Sequence, residues 1–286
     1  MSAIVEARGL RKKYRNSVAL DGVDFDIAPG RIVGLIGPNG AGKTTALKAI
    51  LGLTTFSGEL KVLGLDPMKQ RHKLMHDVCF IADVAVLPRW IRVHQTLDFV
   101  EGVHPAFSRE RAMHFLSRTK IKMESRVKEL SKGMTAQLHL ALVMAIDAKL
   151  LVLDEPTLGL DIIYRKEFYS NLLNDYFDEE RTIVITTHQV EEVEHILTDL
   201  MFIKDGQITL NATMDEVAER FVEVMVSPDE ADEARALNPI HERSIFGKFV
   251  FLYDNADPLA LAELGEMHNP SVADLFVATM KDGDDA

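Results

Sequence analysis

The sequence contains a single cysteine in 286 residues, and this residue, Cys79, stands in the apolar run VCFI. An internal disulfide is therefore excluded, and a buried thiol in a cytoplasmic protein is expected. Runs of about 18 consecutive apolar residues, the length that spans a membrane, are also lacking. The first residues include no basic region followed by an apolar stretch, so we expect no secretion signal.

Positive charge is scarce and unevenly placed. The chain has 32 Lys and Arg residues against 44 Asp and Glu residues, a formal net charge of −12, which disfavours nucleic acid or anionic lipid as the main partner. Residues 217–286 hold only 5 basic residues against 15 acidic ones. This asymmetry, in a chain with enough apolar residues for a large core, predicts a main domain over 1–212 and a small acidic domain over 213–286.

Four short apolar runs, separated by helical patterns, predict the main domain's architecture. They lie at residues 32–36, 78–81, 150–153 and 182–185 and are rich in branched side chains, as is typical of buried parallel strands. We therefore expect an α/β sheet flanked by helices. Short antiparallel strands are expected over residues 4–27, before the first of these runs, and a mostly helical subdomain over about 84–149.

The remaining pattern predicts a small α+β unit. A hairpin at residues 201–210 is followed by Thr213 and Glu216, the two ends of a capping box that begins a helix. The elements expected after it are a strand at 221–226, a helix at about 228–237, a strand near 249–253 and a last helix that Ser271 and Asp274 open.

A glycine-rich loop lies between the first apolar run and a predicted helix at 44–51. Its sequence, GPNGAGKT at residues 37–44, matches the phosphate-binding pattern GxxxxGK[ST] in both sequence and context. Backbone N–H groups of such a loop surround a triphosphate, Lys43 reaches the β- and γ-phosphates, and the Thr44 hydroxyl ligates Mg²⁺. The sequence thus predicts ATP and Mg²⁺ as ligands.

Acidic and imidazole side chains follow two of the buried strands. Asp154 and Glu155 come directly after LLVL at 150–153, and His188 stands at the end of ITTH at 185–188, which continues the apolar run at 182–185. Because the carboxyl ends of parallel strands share one edge of a sheet, we expect these groups beside the phosphate loop. There Asp154 can hold Mg²⁺, Glu155 can act as the general base and His188 can contact the γ-phosphate. Solvated loop acids and a structural histidine are the simpler alternatives.

LSKGM at residues 130–134 resembles the LSGGQ signature of ATP-binding cassette (ABC) ATPases. The resemblance covers residues 4–210 and includes LGLD at 158–161 as the D-loop, His188 as the switch histidine and Tyr14 as the adenine-stacking aromatic. It implies a P-loop NTPase fold with an antiparallel β subdomain, a helical subdomain and a small C-terminal α+β domain. The residues then assigned to the nucleotide are Tyr14, Gly37, Pro38, Asn39, Gly40, Ala41, Gly42, Lys43, Thr44, Thr45, Ser131, Gly133 and Asp161.

Two motifs depart from the family pattern. The signature has Lys132 and Met134 where the family has glycine and glutamine, although Ser131 and Gly133, which supply the hydrogen-bond donors, are retained. Asp83 stands where the family's Q-loop glutamine is expected. We predict that Asp83 contributes an oxygen to Mg²⁺, with a plain loop role as the alternative.

Two aromatic residues allow two interpretations each. Trp90 lies where family members receive the coupling helices of a membrane permease, but it could equally pack inside the helical subdomain. Tyr14 could stack on adenine or pack on its own strand.

The resemblance implies a working unit larger than one chain. Two cassettes pair head to tail in that family, with Ser131 and Gly133 of one subunit facing the nucleotide of the other. The implied partners are a second copy or a closely related cassette, and an integral membrane permease on a separate chain. We therefore expect an ATPase on the inner face of the cell membrane that energises transport, with export indicated by the C-terminal extension. A soluble ABC ATPase and a nucleotide-binding regulator are the alternatives.

Overall fold

The computed structural model describes residues 2–81 and 87–280, and it arranges their strands in three sheets. The strands are β1 Val5–Tyr14, β2 Ser17–Ile27, β3 Ile32–Ile36, β4 Ser57–Val62, β5 Val78–Ile81, β6 Leu150–Asp154, β7 Thr182–Thr187, β8 Asp199–Lys204, β9 Gln207–Thr213, β10 Phe221–Val226, β11 His241–Ile245, β12 Lys248–Asp254 and β13 Glu266–His268. The helices are α1 Lys43–Ile50, α2 Arg71–Leu74, α3 Val93–Val103, α4 Arg109–Ser117, α5 Lys132–Met144, α6 Ile162–Asn171, α7 Met214–Arg220, α8 Ala231–Ala236, α9 Pro258–Ala262 and α10 Val272–Met280.

The central sheet has six strands in the order β5-β6-β7-β3-β8-β9. The first five are parallel and β9 runs antiparallel to β8, which confirms both the α/β class and the hairpin expected at 201–210. Strands β3, β6 and β7 are buried along their whole length, because branched apolar side chains face helices on one side and the antiparallel sheet on the other. In the register of β6 and β7, Asp154 lies opposite Thr186, so both strands end at the same edge.

A three-stranded antiparallel sheet, in the order β2-β1-β4, packs on this layer through a shared apolar core with α1. The sequence predicted antiparallel strands over residues 4–27, but β1 and β2 are long, with 10 and 11 residues, and are bent by register shifts rather than divided. Strand β4 was not predicted, since most of its side chains are polar and exposed.

Helices α3, α4 and α5 form the part of the chain for which a helical subdomain was predicted. Ser131 caps α5 by accepting a hydrogen bond from the Met134 N–H at 3.2 Å. Leu97 of α3 and Leu138 of α5 are fully buried in the core cluster that also contains β6. Cys79 is buried in the same cluster, as expected, and burial raises its thiol pKa to about 12.

The C-terminal elements form a separate four-stranded sheet in the order β11-β12-β10-β13. The predicted capping box between Thr213 and Glu216 is present and begins α7. The predicted helix at 228–237 is shorter, with a 3-10 turn at Pro228–Glu230 before α8, and the polar edge strands β11 and β13 were not predicted. The division of the chain at residue 212 stays a prediction.

The last helix, α10, packs back on the main sheet rather than on its own sheet alone. The Phe276 ring meets the Phe202 ring of β8 edge to face at 5.3 Å, and Lys204 Nζ donates to the Met280 carbonyl at 2.9 Å. The Val272 N–H at its start donates to Glu194 Oε1 at 3.0 Å. The C-terminal unit is therefore joined to the segment that follows β7. Within residues 2–81 and 87–280, no helix is both long and apolar enough to cross a membrane.

Candidate functional site

The phosphate loop occupies residues 37–42, between the end of β3 and the start of α1. Gly42 has φ 115°, a conformation that only glycine adopts without strain, and it places the loop's last N–H groups at the start of α1. A side chain at Gly37 would approach the Ile203 carbonyl oxygen to 2.3 Å, so that position also requires glycine. Both positions therefore require glycine, as a phosphate-binding loop does, and the enclosure of a triphosphate by the loop's N–H groups stays a prediction.

Lys43, the first residue of α1, is buried and reaches back to this loop. Its Nζ donates to the carbonyl oxygens of Gly37 at 2.6 Å and Pro38 at 3.2 Å. Burial lowers the pKa of Lys43 from its ordinary value of 10.5, while the negative charges of Glu155 and Asp154 oppose this shift. The ammonium group thus stands where an anionic ligand would replace lost hydration.

The predicted carboxylates lie at the adjoining strand end. Asp154 is the last residue of β6 and is buried, and its Oδ1 accepts a 2.6 Å hydrogen bond from the Thr186 hydroxyl. The Thr44 hydroxyl lies 3.4 Å from the same oxygen. Glu155 follows with φ 48°, a backbone strain of the kind that is found at functional sites. Its N–H donates to the Thr186 carbonyl at 3.1 Å and meets the Thr186 hydroxyl at 3.2 Å.

His188 lies just beyond β7 and meets Glu155 across the sheet edge. Its Nδ1 donates to Glu155 Oε2 at 2.9 Å. With Nδ1 occupied in this way, Nε2 remains for a ligand in the cavity. The two side chains form a carboxylate and imidazole pair that can orient a water molecule.

These residues line one cavity of about 530 Å³. Its walls are Pro38, Asn39, Gly40, Ala41, Gly42, Lys43, Thr44, Thr45, Asp154, Glu155, Leu158 and His188. The structure therefore brings together the phosphate loop, the carboxylate pair and the histidine. Leu158, from the segment after Glu155, is the lining residue that was not assigned to this site.

Tyr14 and the D-loop aspartate do not line this cavity. Tyr14 is 43% exposed, and Lys12 Nζ lies 5.0 Å from the centroid of its ring. Asp161 caps α6, and its Oδ1 accepts from the N–H groups of Ile163 and Tyr164.

Ser131 and Gly133 also lie away from the cavity, on α5. Gly133 is buried against Tyr164, and a Cβ at this position would approach the Tyr164 ring to 2.6 Å. The start of α5 is thus packed closely against α6. Asp83, predicted as a magnesium ligand, lies outside the described residues.

Trp90 is 71% exposed, so the interpretation that it packs inside the helical subdomain is wrong. Thr186 is the main site residue that the sequence did not identify, although it stands in the motif that ends at His188. Only the register between β6 and β7 shows that its hydroxyl meets Asp154.

The described part of the chain, residues 2–81 and 87–280, contains no cluster of three His, Cys, Asp or Glu side chains that could hold a metal ion. The cavity offers two oxygen groups instead, the Thr44 hydroxyl and the Asp154 carboxylate. Such a set fits Mg²⁺, which keeps several waters and takes its other ligands from substrate phosphates.

Comparison with known proteins gives a consistent result. The sequence profile of the ABC transporter family matches residues 20–158. A Nod factor export ATP-binding protein I of Cupriavidus metallidurans is 33% identical over 281 residues, covering 92% of this chain and 90% of the relative. ABC transporter ATP-binding protein YtrB of Bacillus subtilis is 28% identical over 227 residues, 79% of this chain and 77% of the relative.

Solved structures give the same result. The structure of cbiO1 from Clostridium perfringens, part of the ABC transporter complex cbiONQ, has a TM-score of 0.65 and 26% identity, covering 76% of this chain and 91% of that chain. The ATP binding subunit of another ABC transporter has a TM-score of 0.67 at 23% identity, covering 76% of this chain and 92% of that chain, a likeness of fold. The chain therefore belongs to the ABC transporter family, as an ATP-binding subunit with ATPase activity.

Proposed function

We propose that this ATPase cleaves ATP with Glu155 as the general base and His188 as the group that orients it. The observation that carries the proposal is the 2.9 Å bond between His188 Nδ1 and Glu155 Oε2, on the wall of the cavity that the phosphate loop closes. Glu155 accepts the proton of the attacking water, and the His188 imidazole, when both of its ring nitrogens carry a proton, donates from Nε2 to the γ-phosphate. Lys43 neutralises charge on the β- and γ-phosphates.

Thr44 and Asp154 are the residues that would hold Mg²⁺. Both present oxygen atoms to one point of the cavity, and Thr186 fixes the Asp154 carboxylate. When bound, the ion supplies positive charge beside the phosphate oxygens. Asp83 is proposed as an additional oxygen ligand on the basis of its place in the sequence alone.

The nucleotide site is completed by a second copy of the chain or a closely related cassette. Two observations support this pairing. Ser131 and Gly133 lie outside the cavity of their own chain, and the D-loop region exposes the large apolar side chains of Leu158, Ile162 and Ile163. Exposed apolar groups beside a polar site are typical of an interface. Asp161 orders this surface by capping α6.

The transport partner is a membrane permease on a separate chain, and the subunit works at the inner face of the membrane. Trp90 is exposed, and so are Phe99 and Val103 of α3, and these apolar side chains are the candidate contacts of the permease. Export is proposed because the relative from Cupriavidus metallidurans, a Nod factor export protein, covers the C-terminal unit as well as the cassette. The net charge of −12 argues against nucleic acid as a partner.

Steady-state turnover of the full chain with Mg-ATP tests the catalytic assignment. Glu155→Gln keeps the size of the side chain and removes its basicity, so turnover should fall by about 10² to 10⁴-fold. Glu191→Gln, an exposed acid in the segment after His188, is the matched control and should leave turnover within about twofold of the wild type. Equal turnover for Glu155→Gln and Glu191→Gln contradicts the assignment.

Co-sedimentation with membranes tests Trp90 as a contact of the permease. Trp90→Ala should reduce the fraction of the chain that sediments with permease-containing membranes, whereas Leu259→Ala, an equally exposed apolar residue in the C-terminal unit, should not. Unchanged sedimentation of Trp90→Ala contradicts docking through Trp90.

A further inference from the structure

Arg165, in the first turn of α6, joins two loops that border the nucleotide cavity. Its Nε donates to the Leu160 carbonyl at 2.7 Å, in the segment after Glu155. Its Nη1 donates to Gln189 Oε1 at 2.9 Å and also bonds Glu192 Oε1, both in the segment after His188. One guanidinium group therefore connects the segment that follows Glu155 with the segment that follows His188.

The catalytic pair depends on the relative position of these two loops. Glu155 and His188 follow different strands, β6 and β7, and each is the first residue after the end of its strand. The first loop is held on α6 a second time, because the Thr157 and Tyr169 hydroxyls are hydrogen-bonded at 3.1 Å in a buried position. Helix α6 is thus a common support, and Arg165 is its contact with the second loop.

The form of the interaction indicates positioning. The Arg165 side chain is 21% exposed, and an ion pair this far from water adds little net stability over a well-packed apolar pair. A guanidinium has rigid donors that fix the directions of several acceptors at once, and here they fix a carbonyl, an amide and a carboxylate on two segments. Glu192 Oε2 is buried without a hydrogen-bond partner among the described residues, so Arg165 alone orients that carboxylate.

We propose that Arg165 is a positioning residue for ATP hydrolysis, which sets the segment after Glu155 in register with the segment after His188. This inference rests on the proposed function of that pair. Arg165 touches neither the cavity wall nor the reacting atoms, and it acts through the geometry of the 2.9 Å Glu155–His188 contact. A displacement of about 1 Å at a reacting pair can cost about 10²-fold in rate.

The principal variant is Arg165→Met, which keeps a long unbranched side chain and removes every donor. We expect kcat to fall at least about tenfold, with KM for ATP within about threefold of the wild type, because the phosphate loop is untouched. Arg165→Lys keeps the charge but cannot bond both loops at once, so its kcat should also fall. Glu192→Gln keeps an oxygen acceptor and should lose less than Arg165→Met.

Arg181→Met is a matched control. Arg181 is 19% exposed, donates to the Tyr176 carbonyl at 2.8 Å and pairs with Asp147 at 2.6 Å and Asp178 at 2.7 Å. It precedes β7, at the sheet edge opposite to His188. Its loss should lower the melting temperature about as much as the loss of Arg165, but leave kcat within about twofold of the wild type.

The variants are assayed in the full chain together with Glu155→Gln. The inference is supported if Arg165→Met has a lower kcat than the wild type and an unchanged KM for ATP. Its loss of kcat must also be larger than that of Arg181→Met, while the two variants have similar melting temperatures. It is overturned if the two arginine variants lose kcat equally, or if Arg165→Met keeps its kcat while Glu155→Gln is inactive. If Arg165→Met does not fold, the kcat of Arg165→Lys and Glu192→Gln decides in the same way. Wild-type turnover by Glu155→Gln overturns the proposed function itself, and this inference with it.

Discussion

Replacing Thr186 by valine tests how the site holds its carboxylates. Thr186 is fully buried, its hydroxyl donates to Asp154 Oδ1 at 2.6 Å, and the same hydroxyl accepts from the Glu155 N–H at 3.2 Å. Valine has nearly the same shape, so Thr186→Val removes these hydrogen bonds without opening a cavity.

The expected loss follows from the two bonds. A hydrogen bond to a charged group contributes about 1.5–3 kcal/mol, and Asp154 is only 5% exposed, so water from the cavity that it lines replaces the lost donor only in part. The Glu155 N–H keeps the Thr186 carbonyl as an acceptor at 3.1 Å, and its share of the loss is small. We therefore expect a destabilisation of about 2 kcal/mol, roughly a thirtyfold change in the folding equilibrium.

Urea unfolding of the full chain measures this loss as a shift of the transition midpoint, provided that the m-value is unchanged. Thr182→Val is the matched control on the same strand: Thr182 is also fully buried, but its hydroxyl accepts from the Gly30 N–H at 3.0 Å, a neutral bond expected to contribute about 1 kcal/mol. Turnover should fall about tenfold for Thr186→Val and stay within about twofold for Thr182→Val, because only the first carries a site carboxylate. A loss of stability no larger for Thr186→Val than for Thr182→Val refutes the reasoning.

Three further predictions concern other parts of the chain. Burial lowers the pKa of His139 to about 4, so between about pH 4 and 6.5 the unfolded chain binds a proton that the folded chain does not, and stability falls as pH drops through that window. Between pH 7.5 and 5.5, the free energy of unfolding of the wild type should therefore fall by about 1 kcal/mol more than that of His139→Gln. The same pH dependence in both proteins contradicts this. Tyr14→Ala should raise the KM for ATP about tenfold with kcat unchanged, and Tyr14→Phe should keep the wild-type KM. If Tyr14→Ala also keeps the wild-type KM, packing of Tyr14 on its strand is favoured. Glu194→Ala removes the acceptor of the Val272 N–H and should speed amide exchange in α10, while Glu194→Gln should preserve most of the protection; equal exchange in both contradicts the attachment.

The elements that could be predicted from the sequence are those whose own residues show the pattern of the element, either an apolar run that is buried or a cap of residues close in sequence. Strand β3 was predicted with its observed bounds, because a short apolar run rich in branched side chains is typical of a strand covered on both faces. The helix at Thr213 was predicted because its cap is made of residues close in sequence. Strands β4, β11 and β13 were missed, since they lie at sheet edges with mostly polar, exposed side chains that give no periodic apolar signal.

The same distinction applies to the site. Loop 37–44, Asp154, Glu155 and His188 carry their chemistry in local sequence, and the rule that parallel strands end at one edge was enough to predict that they meet. The contacts of Thr186 and Arg165 depend on the strand register and on the packing of α6, which no local pattern encodes. The role proposed for Ser131 at the nucleotide of a second chain depends on that chain, so the sequence of one chain predicts both a helix cap and a ligand contact at this position.

The central claim is that nucleotide bound at loop 37–44 is enclosed by Ser131 and Gly133 of a second copy and cleaved with help from Glu155. The most direct measurement is the mass of Glu155→Gln in saturating Mg-ATP, by light scattering on a sizing column, since slowed cleavage should trap the nucleotide-bound pair. With Mg-ATP, the mass of Glu155→Gln should be twice that of one chain, and it should be that of a single chain without nucleotide or when Ser131→Arg is added. A single-chain mass of Glu155→Gln in saturating Mg-ATP contradicts the pairing.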